Sequence, residues 1–253
     1  MNPIVVIPAR LAATRLPEKP LADLGGVPMI VQVWRRAVEA GIGPVLVACD
    51  APAIAEVIEA EGGQAVLTDA ELPSGSDRVW QALMRADPAG QYDVVVNLQG
   101  DLPTVPPPVL RAVLEPLAEA AVDIATLCAP IAEAQERHDP NVVKVAALFA
   151  TDSPGDCARA LYFSRCAVPW DGGDARQPLY HHIGVYAYRR AALARFVALP
   201  PGLLEQRERL EQLRALEAGQ RIDVARVDTV PPGVDTPADL ERARQVLATQ
   251  PGG

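Results

Sequence analysis

Short apolar segments rich in β-branched residues alternate with helix-like segments through the first half of the chain, and this alternation constrains the fold most strongly. Four strands are predicted, at 4–7, 45–49, 65–67 and 94–98. Between the first two, apolar residues keep helical spacing from Ile30 to Val38, until Gly41 stops the run. Repeated βα units of this kind predict a doubly wound, mostly parallel sheet with right-handed crossovers.

The second half of the chain has a different pattern, with more strands and fewer helices. Strands are predicted at Val122–Leu127, Val142–Leu148, Ala160–Phe163 and Ile183–Tyr188, and a turn-rich run from Val168 to Gly173 separates the last two. A long polar helix at Leu203–Gly219, a strand at Ile222–Val227 and a helix from Pro237 are predicted to follow. We therefore expect one α/β domain over 1–253, with a lid or dimerisation sub-domain at about 128–200.

Charge and composition exclude several classes of function. The formal net charge of −9 and the 49% hydrophobic content indicate a globular protein without the broad basic face that nucleic acid or an anionic membrane requires. No apolar run approaches the ~20 residues of a membrane span, and no basic leader precedes one, so the cytoplasm is the expected compartment. The four cysteines form no Cys-x-x-Cys pair, which argues against a zinc knuckle or a redox motif.

The loop that follows the first strand is positively charged, although the chain as a whole is negative. It carries Arg10, Arg15 and Lys19, and Lys19 is one of only two lysines against 21 arginines. Arginine forks and a compact ammonium suit the oxygens of a phosphate chain. The loop lacks both the Gly-x-Gly-x-x-Gly and the Walker A patterns, which disfavours an NAD-dependent oxidoreductase. The alternative is a surface loop with solvated cations.

Two acids occupy positions where phosphate and metal chemistry is often found, one beyond the carboxyl end of a strand and the other just outside a helix N-terminus. Asp101 comes after Gly100 at the end of the fourth strand, and Asp235 precedes a helix start at Thr236-Pro237. Carboxylates at these positions could hold Mg²⁺ against a phosphate. Alternatively, Asp101 shapes a turn and Asp235 supports the helix cap. Ser74, also beyond the carboxyl end of a strand, is predicted to cap a helix.

Polar side chains also occur in the strand-like runs of the second half. Arg165 would suit a substrate carboxylate, whereas a structural, hydrogen-bonded histidine is the favoured interpretation of His182, which Tyr186 follows. For Glu211 and Gln212 the favoured alternative is a solvated helix face.

Taken in order, these segments resemble the 3-deoxy-manno-octulosonate (Kdo) cytidylyltransferase family over about residues 3–247. The motifs that carry the resemblance are Ile7-Pro8-Ala9-Arg10, Thr14-Arg15-Leu16-Pro17, Lys19-Pro20-Leu21, Ser74-Gly75 with Arg78, Asn97-Leu98-Gln99-Gly100-Asp101, Pro140-Asn141-x-Val143-Lys144-Val145, Tyr162-Phe163-Ser164-Arg165, His182-x-Gly184-Val185-Tyr186, Leu204-Glu205, Leu210-Glu211-Gln212-Leu213-Arg214 and Gly233-Val234-Asp235-Thr236-Pro237. Each motif alone is weak, but the ordered set is specific.

The resemblance implies an α/β nucleotidyltransferase fold, a Rossmann-type mixed sheet flanked by helices with a smaller β-rich insertion for sugar binding and dimerisation. It implies transfer of CMP from CTP to Kdo, with pyrophosphate release and Mg²⁺ as cofactor, for lipopolysaccharide biosynthesis. A homodimer is also implied, and symmetric dimers are the commonest assembly.

The resemblance also implies a role for each matched residue. Arg10, Arg15 and Lys19 would hold the triphosphate, with Ser74, Gly75, Arg78 and Gln99 completing the nucleotide site. Asp101 and Asp235 would ligate Mg²⁺ and, with Lys19, form the catalytic set. Arg165, His182, Tyr186, Glu211 and Gln212 would bind the sugar acid.

Three positions depart from the family's pattern: Ala13 replaces a common Ser, Glu18 a frequent Gly, and Leu102 a frequent Glu. The alternatives that remain are a cytidylyltransferase for another acid sugar, such as 8-amino-Kdo or a sialic acid, and a non-catalytic nucleotide-binding protein.

Overall fold

The computed structural model describes residues 1–12, 16–151, 153, 155–170 and 178–249. The chain divides into two compact units, Met1–Arg111 with Pro231–Gly253, and Ala112–Val230. The second unit contains residues 128–200, for which a sub-domain is predicted, and extends beyond them on both sides. Within the described residues, no helix combines the length and the apolar character that crossing a bilayer requires.

The first unit is built on a parallel sheet with the strand order β3-β2-β1-β4. Its strands are β1 (Pro3–Ala9), β2 (Val45–Cys49), β3 (Gln64–Leu67) and β4 (Val94–Asn97). β1 lies in the centre, with Val5 opposite Val45 on one side and Val96 on the other. Both faces of its middle are buried, which explains its continuous apolar sequence. The four predicted strands and their parallel arrangement are confirmed.

Three helices connect these strands as the periodicity predicts: α1 (Met29–Ala40), α2 (Pro52–Ala60) and α3 (Gly75–Ala86). Helix α4 (Pro107–Ala112), which the sequence did not predict, follows β4, and Lys19–Leu21 forms a 3-10 turn between β1 and α1. α1 ends at Gly41, whose φ of 63° is the left-handed conformation that glycine adopts readily. α3 begins at Ser74, whose hydroxyl accepts the backbone N–H of Asp77.

The second unit is rich in β-structure. Its strands are β5 (Ile124–Pro130), β6 (Lys144–Ala147), β7 (Cys157–Ser164), β8 (Tyr180–Arg189) and β9 (Ile222–Arg226). β5 pairs with β8 antiparallel and with β9 in parallel, while β7 pairs antiparallel with both β9 and β6. β6 also pairs with β8, so the five strands form a closed ring of pairings. Helix α5 (Arg190–Ala198), which the sequence did not predict, follows β8 directly.

The single long helix predicted at Leu203–Gly219 is wrong. Two short helices, α6 (Leu203–Glu208) and α7 (Leu213–Glu217), replace it. Arg209 adopts a left-handed conformation with φ 56° and ends α6, and this turn lets Leu210 enter the core. Because Arg214 of α7 binds Glu205 of α6 through two hydrogen bonds of 2.8 and 2.6 Å, the broken arrangement is held by a bidentate ion pair.

The C-terminal segment belongs to the first unit and ends in α8 (Pro237–Ala248). Leu240 and Ala243 of α8 pack with Val234, Leu24 and Met29 in one apolar cluster. The helix begins at Thr236-Pro237, as the sequence predicts, and its start is a capping box, because Thr236 and Asp239 exchange side-chain hydrogen bonds with each other's backbone N–H groups.

Gly100, in the turn after β4, is required by a close approach of two backbones. A Cβ at this position would lie 2.9 Å from the carbonyl oxygen of Pro8 in β1, and that oxygen cannot move without shifting the central strand. Gly75 contacts the same residue less closely, since its Cβ would lie 3.6 Å from Cγ of Pro8.

We expect Gly100→Ala to lower the free energy of unfolding by about 1–3 kcal/mol, because the added methyl group overpacks the strand. Gly75→Ala is the matched control and should change it by less than about 1 kcal/mol, since alanine also favours the helix. Urea unfolding measures the free energy of unfolding of both variants, and equal m-values show that the two can be compared. Equal losses for the two variants would contradict the steric argument.

Candidate active site

A cavity of about 380 Å³ lies in the first unit, beyond the carboxyl ends of its parallel strands, which is where open α/β sheets bind ligands. Its lining includes most of the residues predicted to bind nucleotide or metal: Arg10, Lys19, Ser74, Gly75, Arg78, Gln99, Asp101 and Asp235. Arg10 is exposed there. Arg15 and Ala13 lie outside the described residues, so their predicted roles stay predictions.

The Lys19 ammonium bridges the two acids that were predicted to hold a metal. Its Nζ lies 2.8 Å from Oδ2 of Asp101 and 2.8 Å from Oδ1 of Asp235. Lys19 comes from the 3-10 turn, Asp101 from the end of β4 and Asp235 from the start of α8. Side chains 216 residues apart in sequence therefore meet at one ammonium group.

Backbone contacts hold the two acidic segments together. The N–H of Val234 donates to the carbonyl oxygen of Asp101 at 2.9 Å, and the buried side chain of Val234 anchors its loop in the apolar cluster. The next residue, Asp235, donates its own N–H to Oδ2 of Asp239 at 3.1 Å. These contacts fix the distance between the two carboxylates. If Asp101 only shaped a turn and Asp235 only supported the helix cap, no fixed distance between them would be required.

The charge of Lys19 is stabilised by its partners. Burial lowers the pKa of the ammonium, whereas the charges of Asp101 and Asp235 and their hydrogen bonds raise it by a larger amount. The net shift of the pKa is therefore upward. The side chain is 17% exposed, compared with 32% for Asp101 and 47% for Asp235. Lys19 is therefore a cation at neutral pH, with its head at the cavity wall.

The two carboxylates suit Mg²⁺, which prefers oxygen ligands and is commonly held by one or two carboxylates together with phosphate and water. Within the described residues, no group of three or more His, Cys, Asp or Glu side chains forms a complete metal site. Asp101 and Asp235 thus fit Mg²⁺ only if a bound phosphate and water supply its remaining ligands.

Ser74, Gln99 and Arg78 line the cavity and have partners within the protein. The hydroxyl of Ser74 binds Asp77 at 2.7 Å, and Nε2 of Gln99 donates to Oδ1 of Asn97 at 3.0 Å. The guanidinium of Arg78 is buried and donates to the hydroxyl of Thr68 and to the carbonyl oxygen of Asp69. In this state Arg78 orders the loop after β3, and its predicted contact with a nucleotide remains a prediction.

Asp50, which ends β2, was not among the predicted site residues. Its Oδ1 accepts the N–H of Leu11 at 3.0 Å, and its Oδ2 lies 4.0 Å from Nη2 of Arg78. The carboxylate thereby joins the cationic loop directly behind Arg10 to helix α3. Its position at a strand end is the only sequence signal, and the same signal drew attention to Asp101.

In the second unit, His182 and Tyr186 lie on β8 in a largely buried aromatic cluster. Their ring centroids are 5.5 Å apart, and Phe163 packs against His182 at 4.8 Å. Burial, with a contribution from His181, lowers the pKa of His182 to about 3, and burial raises the pKa of Tyr186 well above its ordinary value. Both side chains are therefore neutral at physiological pH and can act only as hydrogen-bonding groups.

The hydrogen bonds of Thr126 assign the tautomer of His182. The Thr126 hydroxyl lies 2.8 Å from the carbonyl oxygen of Val185 and 3.1 Å from that of Ile183, so its single proton is directed to a carbonyl. Its oxygen must then accept from Nε2 of His182, 3.0 Å away. Nδ1 is left as the unprotonated nitrogen of the neutral ring. The structural interpretation of His182 is compatible with this network.

Arg165 is held by backbone carbonyl oxygens. Its Nε donates to Glu208 at 2.7 Å, Nη1 to Pro140 at 2.9 Å and Nη2 to Arg209 at 3.3 Å. The other lysine, Lys144, is fully buried and donates to the carbonyl oxygens of Arg165 and Asp139. Burial lowers the pKa of Lys144. These contacts fix Arg165 between two loops.

Glu211 and Gln212 lie between α6 and α7, with Gln212 buried and Glu211 partly buried. The solvated helix face that was their alternative interpretation is therefore wrong, because the helix is interrupted here. The charge of Glu211 contributes to the raised pKa of Tyr186, which shows that the two side chains are near each other. His182, Tyr186 and Glu211 thus come together in the second unit.

Comparison with known proteins identifies the family of this chain. Residues 4–222 match the cytidylyltransferase family. A 3-deoxy-manno-octulosonate cytidylyltransferase from Methylorubrum extorquens (strain PA1) is 64% identical over 98% of this chain and 97% of its own length. One from Paramagnetospirillum magneticum (strain ATCC 700264 / AMB-1) is 60% identical over 98% of each chain.

The chain belongs to the 3-deoxy-manno-octulosonate cytidylyltransferase family.

A solved structure of CMP:2-keto-3-deoxy-manno-octonic acid synthetase complexed with CTP has the same fold. It superimposes with a TM-score of 0.89 at 38% identity, over 98% of this chain and 99% of that one. The predicted nucleotidyltransferase fold and the family resemblance are both confirmed.

Two departures from the pattern of the Kdo cytidylyltransferases have structural consequences. Glu18 has φ 52° and ψ 31°, a left-handed conformation that glycine adopts more readily than a residue with a side chain. Leu102 is buried, and its Cδ2 lies 4.0 Å from the position of a Cβ on Gly233. An apolar side chain therefore lies next to Asp101, at the position where the resemblance implies a further carboxylate.

We expect Asp50→Ala to lower the free energy of unfolding by about 1–3 kcal/mol, because Leu11 loses a buried acceptor and Arg78 a nearby counter-charge. Asp50→Asn should lose less, since its side-chain oxygen can still accept from Leu11. Glu61→Ala, which removes the exposed pair with Arg35, is the control and should cost less than about 1 kcal/mol. Urea unfolding distinguishes these results, and an Asp50→Ala loss equal to that of the control would contradict the proposed link.

His182 should make the stability of the protein depend on pH. Between pH 6.5 and about 3 the unfolded chain binds a proton at this imidazole and the folded protein does not, so stability is lost as the pH falls. The slope is about 1.4 kcal/mol per pH unit. His182→Gln should remove this contribution and flatten the curve of unfolding free energy against pH. Parallel curves for the two proteins would show that His182 titrates normally in the fold.

Proposed function

We propose that the chain transfers CMP from CTP to 3-deoxy-D-manno-octulosonate, forming CMP-Kdo and pyrophosphate. The observation that carries this proposal is the convergence of one ammonium and two carboxylates in the cavity of the first unit. The family relatives are named for this activity, and the related solved structure was complexed with CTP.

The reaction requires charge neutralisation and positioning rather than a protein nucleophile. The C2 hydroxyl of the sugar attacks the α-phosphorus and loses its proton to the solvent, while the bond to the bridging oxygen breaks and pyrophosphate leaves with that oxygen. Negative charge builds up on the leaving group, and Arg10 and Lys19 are the described cations of the cavity's cationic loop that can stabilise it. The helix-capping Ser74 and the adjoining α3 provide backbone N–H groups at the same edge.

Asp101 and Asp235 are the proposed Mg²⁺ ligands. A bound Mg²⁺ would neutralise phosphate charge and orient the α-phosphate for attack. The role of the protein is to hold the two acids at a common point, through the Val234 backbone contact and the capping box of α8. Leu102 supplies no carboxylate here, so the described residues favour a single shared metal position.

The second unit is proposed to bind the sugar acid through Arg165, His182, Tyr186, Glu211 and Gln212. His182 and Tyr186 are neutral, so they would recognise hydroxyl groups, whereas a carboxylate needs a cation such as Arg165. The three hydrogen bonds of Arg165 to carbonyl oxygens use three of the five N–H groups of its guanidinium, so it can bind a carboxylate without giving them up. We also propose a cytoplasmic homodimer, as the resemblance implies; Leu148, Leu161, Trp170 and Leu203 of this unit are large exposed apolar side chains that a partner could cover.

A coupled assay of pyrophosphate release tests the activity. We expect turnover with CTP, Kdo and Mg²⁺, little turnover with UTP or ATP, and loss of turnover when EDTA removes the metal. Asp101→Asn should lower kcat by at least about 10²-fold with an unchanged unfolding midpoint, because the near-isosteric amide keeps the shape but loses the charge. Asp69→Asn, an exposed acid of the same unit, is the control.

Two outcomes would overturn the assignment. Turnover with a sialic acid or 8-amino-Kdo but not with Kdo would move the protein to another acid sugar. Nucleotide binding without pyrophosphate release on any acid sugar would favour a non-catalytic binding protein.

A further inference from the structure

We propose that Lys19 acts as an internal counter-cation. Its ammonium prevents divalent ions from binding to the proposed metal ligands Asp101 and Asp235 until a nucleoside triphosphate binds. The inference rests on the proposed function, since it concerns the same site. It adds a control on metal binding that is built into the side chains themselves.

The geometry of the bridge supports this control. A single ammonium lies 2.8 Å from one oxygen of Asp101 and 2.8 Å from one oxygen of Asp235. Mg²⁺ held by both carboxylates would have to lie in the space between them, which the ammonium occupies. An ammonium and a divalent cation cannot share that space, because they would overlap sterically and repel each other electrostatically. Metal binding therefore requires Lys19 to leave.

Without nucleotide, displacing Lys19 is unfavourable. The ammonium would give up two short charged hydrogen bonds from a position that is only 17% exposed. The incoming metal would gain just two carboxylates, because the described part of the chain offers no third acidic or imidazole ligand beside them. The cavity contains another cation, Arg10, which opposes a further positive charge.

A triphosphate changes this balance. Its oxygens offer Lys19 new acceptors, and the four-carbon side chain is flexible enough to swing from the carboxylates to the phosphates. The freed carboxylates and the phosphate oxygens then complete a metal site together. Nucleotide and metal binding are consequently coupled, and each raises the affinity for the other by the same factor.

The presence of only two lysines makes the movement directly observable. Protein labelled with [13Cε]lysine should give two Cε resonances, and Lys19→Arg identifies the Lys19 signal by its loss. We expect Mg²⁺ alone, at up to ~5 mM, to leave the Lys19 resonance in place, and Mg²⁺ with CTP to shift it. Lys144, buried in the second unit, is the internal reference. A saturable shift of the Lys19 signal with Mg²⁺ alone at micromolar concentrations would overturn the proposal.

Mn²⁺ binding without nucleotide, measured by electron paramagnetic resonance of the free ion, gives the complementary result. Lys19→Met should bind Mn²⁺ at least about tenfold more tightly than the wild type, because its carboxylates have lost their competitor. Lys19→Arg keeps the charge and should bind as weakly as the wild type, and Lys19→Gln provides a second neutral variant with a polar head. Equal Mn²⁺ affinity in the wild type and both neutral variants contradicts the inference.

The pyrophosphate assay separates this inference from the proposed function. If Lys19→Met binds Mn²⁺ more tightly but the wild-type protein releases no pyrophosphate, the counter-cation is supported and the enzyme activity is refuted. Normal pyrophosphate release by the wild type, with Mn²⁺ affinities that do not depend on Lys19, would support the enzyme activity and refute the counter-cation.

Discussion

The contact of one ammonium with two carboxylates is the interaction on which the proposed chemistry depends. Asp101 and Asp235 repel each other, and Lys19 makes their proximity stable in the absence of any ligand. The pair is only partly buried, so its charges keep some solvation and avoid the full desolvation cost of a buried ion pair. A site with this balance can exchange its ammonium for a different cation when the surroundings change. A more deeply buried triad would hold its lysine permanently.

The parallel sheet of the first unit makes this contact possible. Strand β1 leads to the cationic loop and β4 to Asp101, and the two strands are direct neighbours, so both loops emerge at the same edge. Close backbone contact at Gly100 keeps the turn after β4 tight. Packing of Val234 and Leu240 brings the C-terminal segment back to that edge and adds Asp235. The cavity thus depends on apolar packing at some distance from its charges.

In the second unit, burial determines the chemical character of the polar side chains. His182 and Tyr186 are neutral because they are enclosed by apolar and aromatic neighbours, and Arg165 is immobilised by carbonyl oxygens. Lys144 shows the same principle, since a fully buried ammonium is tolerated only where it has acceptors such as the carbonyl of Asp139. Among the residues of this unit that were predicted to bind the sugar, two are therefore neutral hydrogen-bonding groups and one is a guanidinium held by carbonyl oxygens.

Local sequence determined the four strands of the first unit and the helices α1, α2 and α3, because apolar periodicity and residues such as Gly41 and Ser74 act within one element. Ordered motifs were enough to recognise the family. Tertiary structure alone decided that Lys19 joins Asp101 to Asp235, that Asp50 links the cationic loop to helix α3, and that His182 is neutral, since each depends on segments far apart in the chain. The broken helix at Arg209 has the same origin: burial of Leu210 outweighs the helical preference of its neighbours. Such preferences amount to a few tenths of a kcal/mol per residue, and a buried leucine side chain to about 2 kcal/mol.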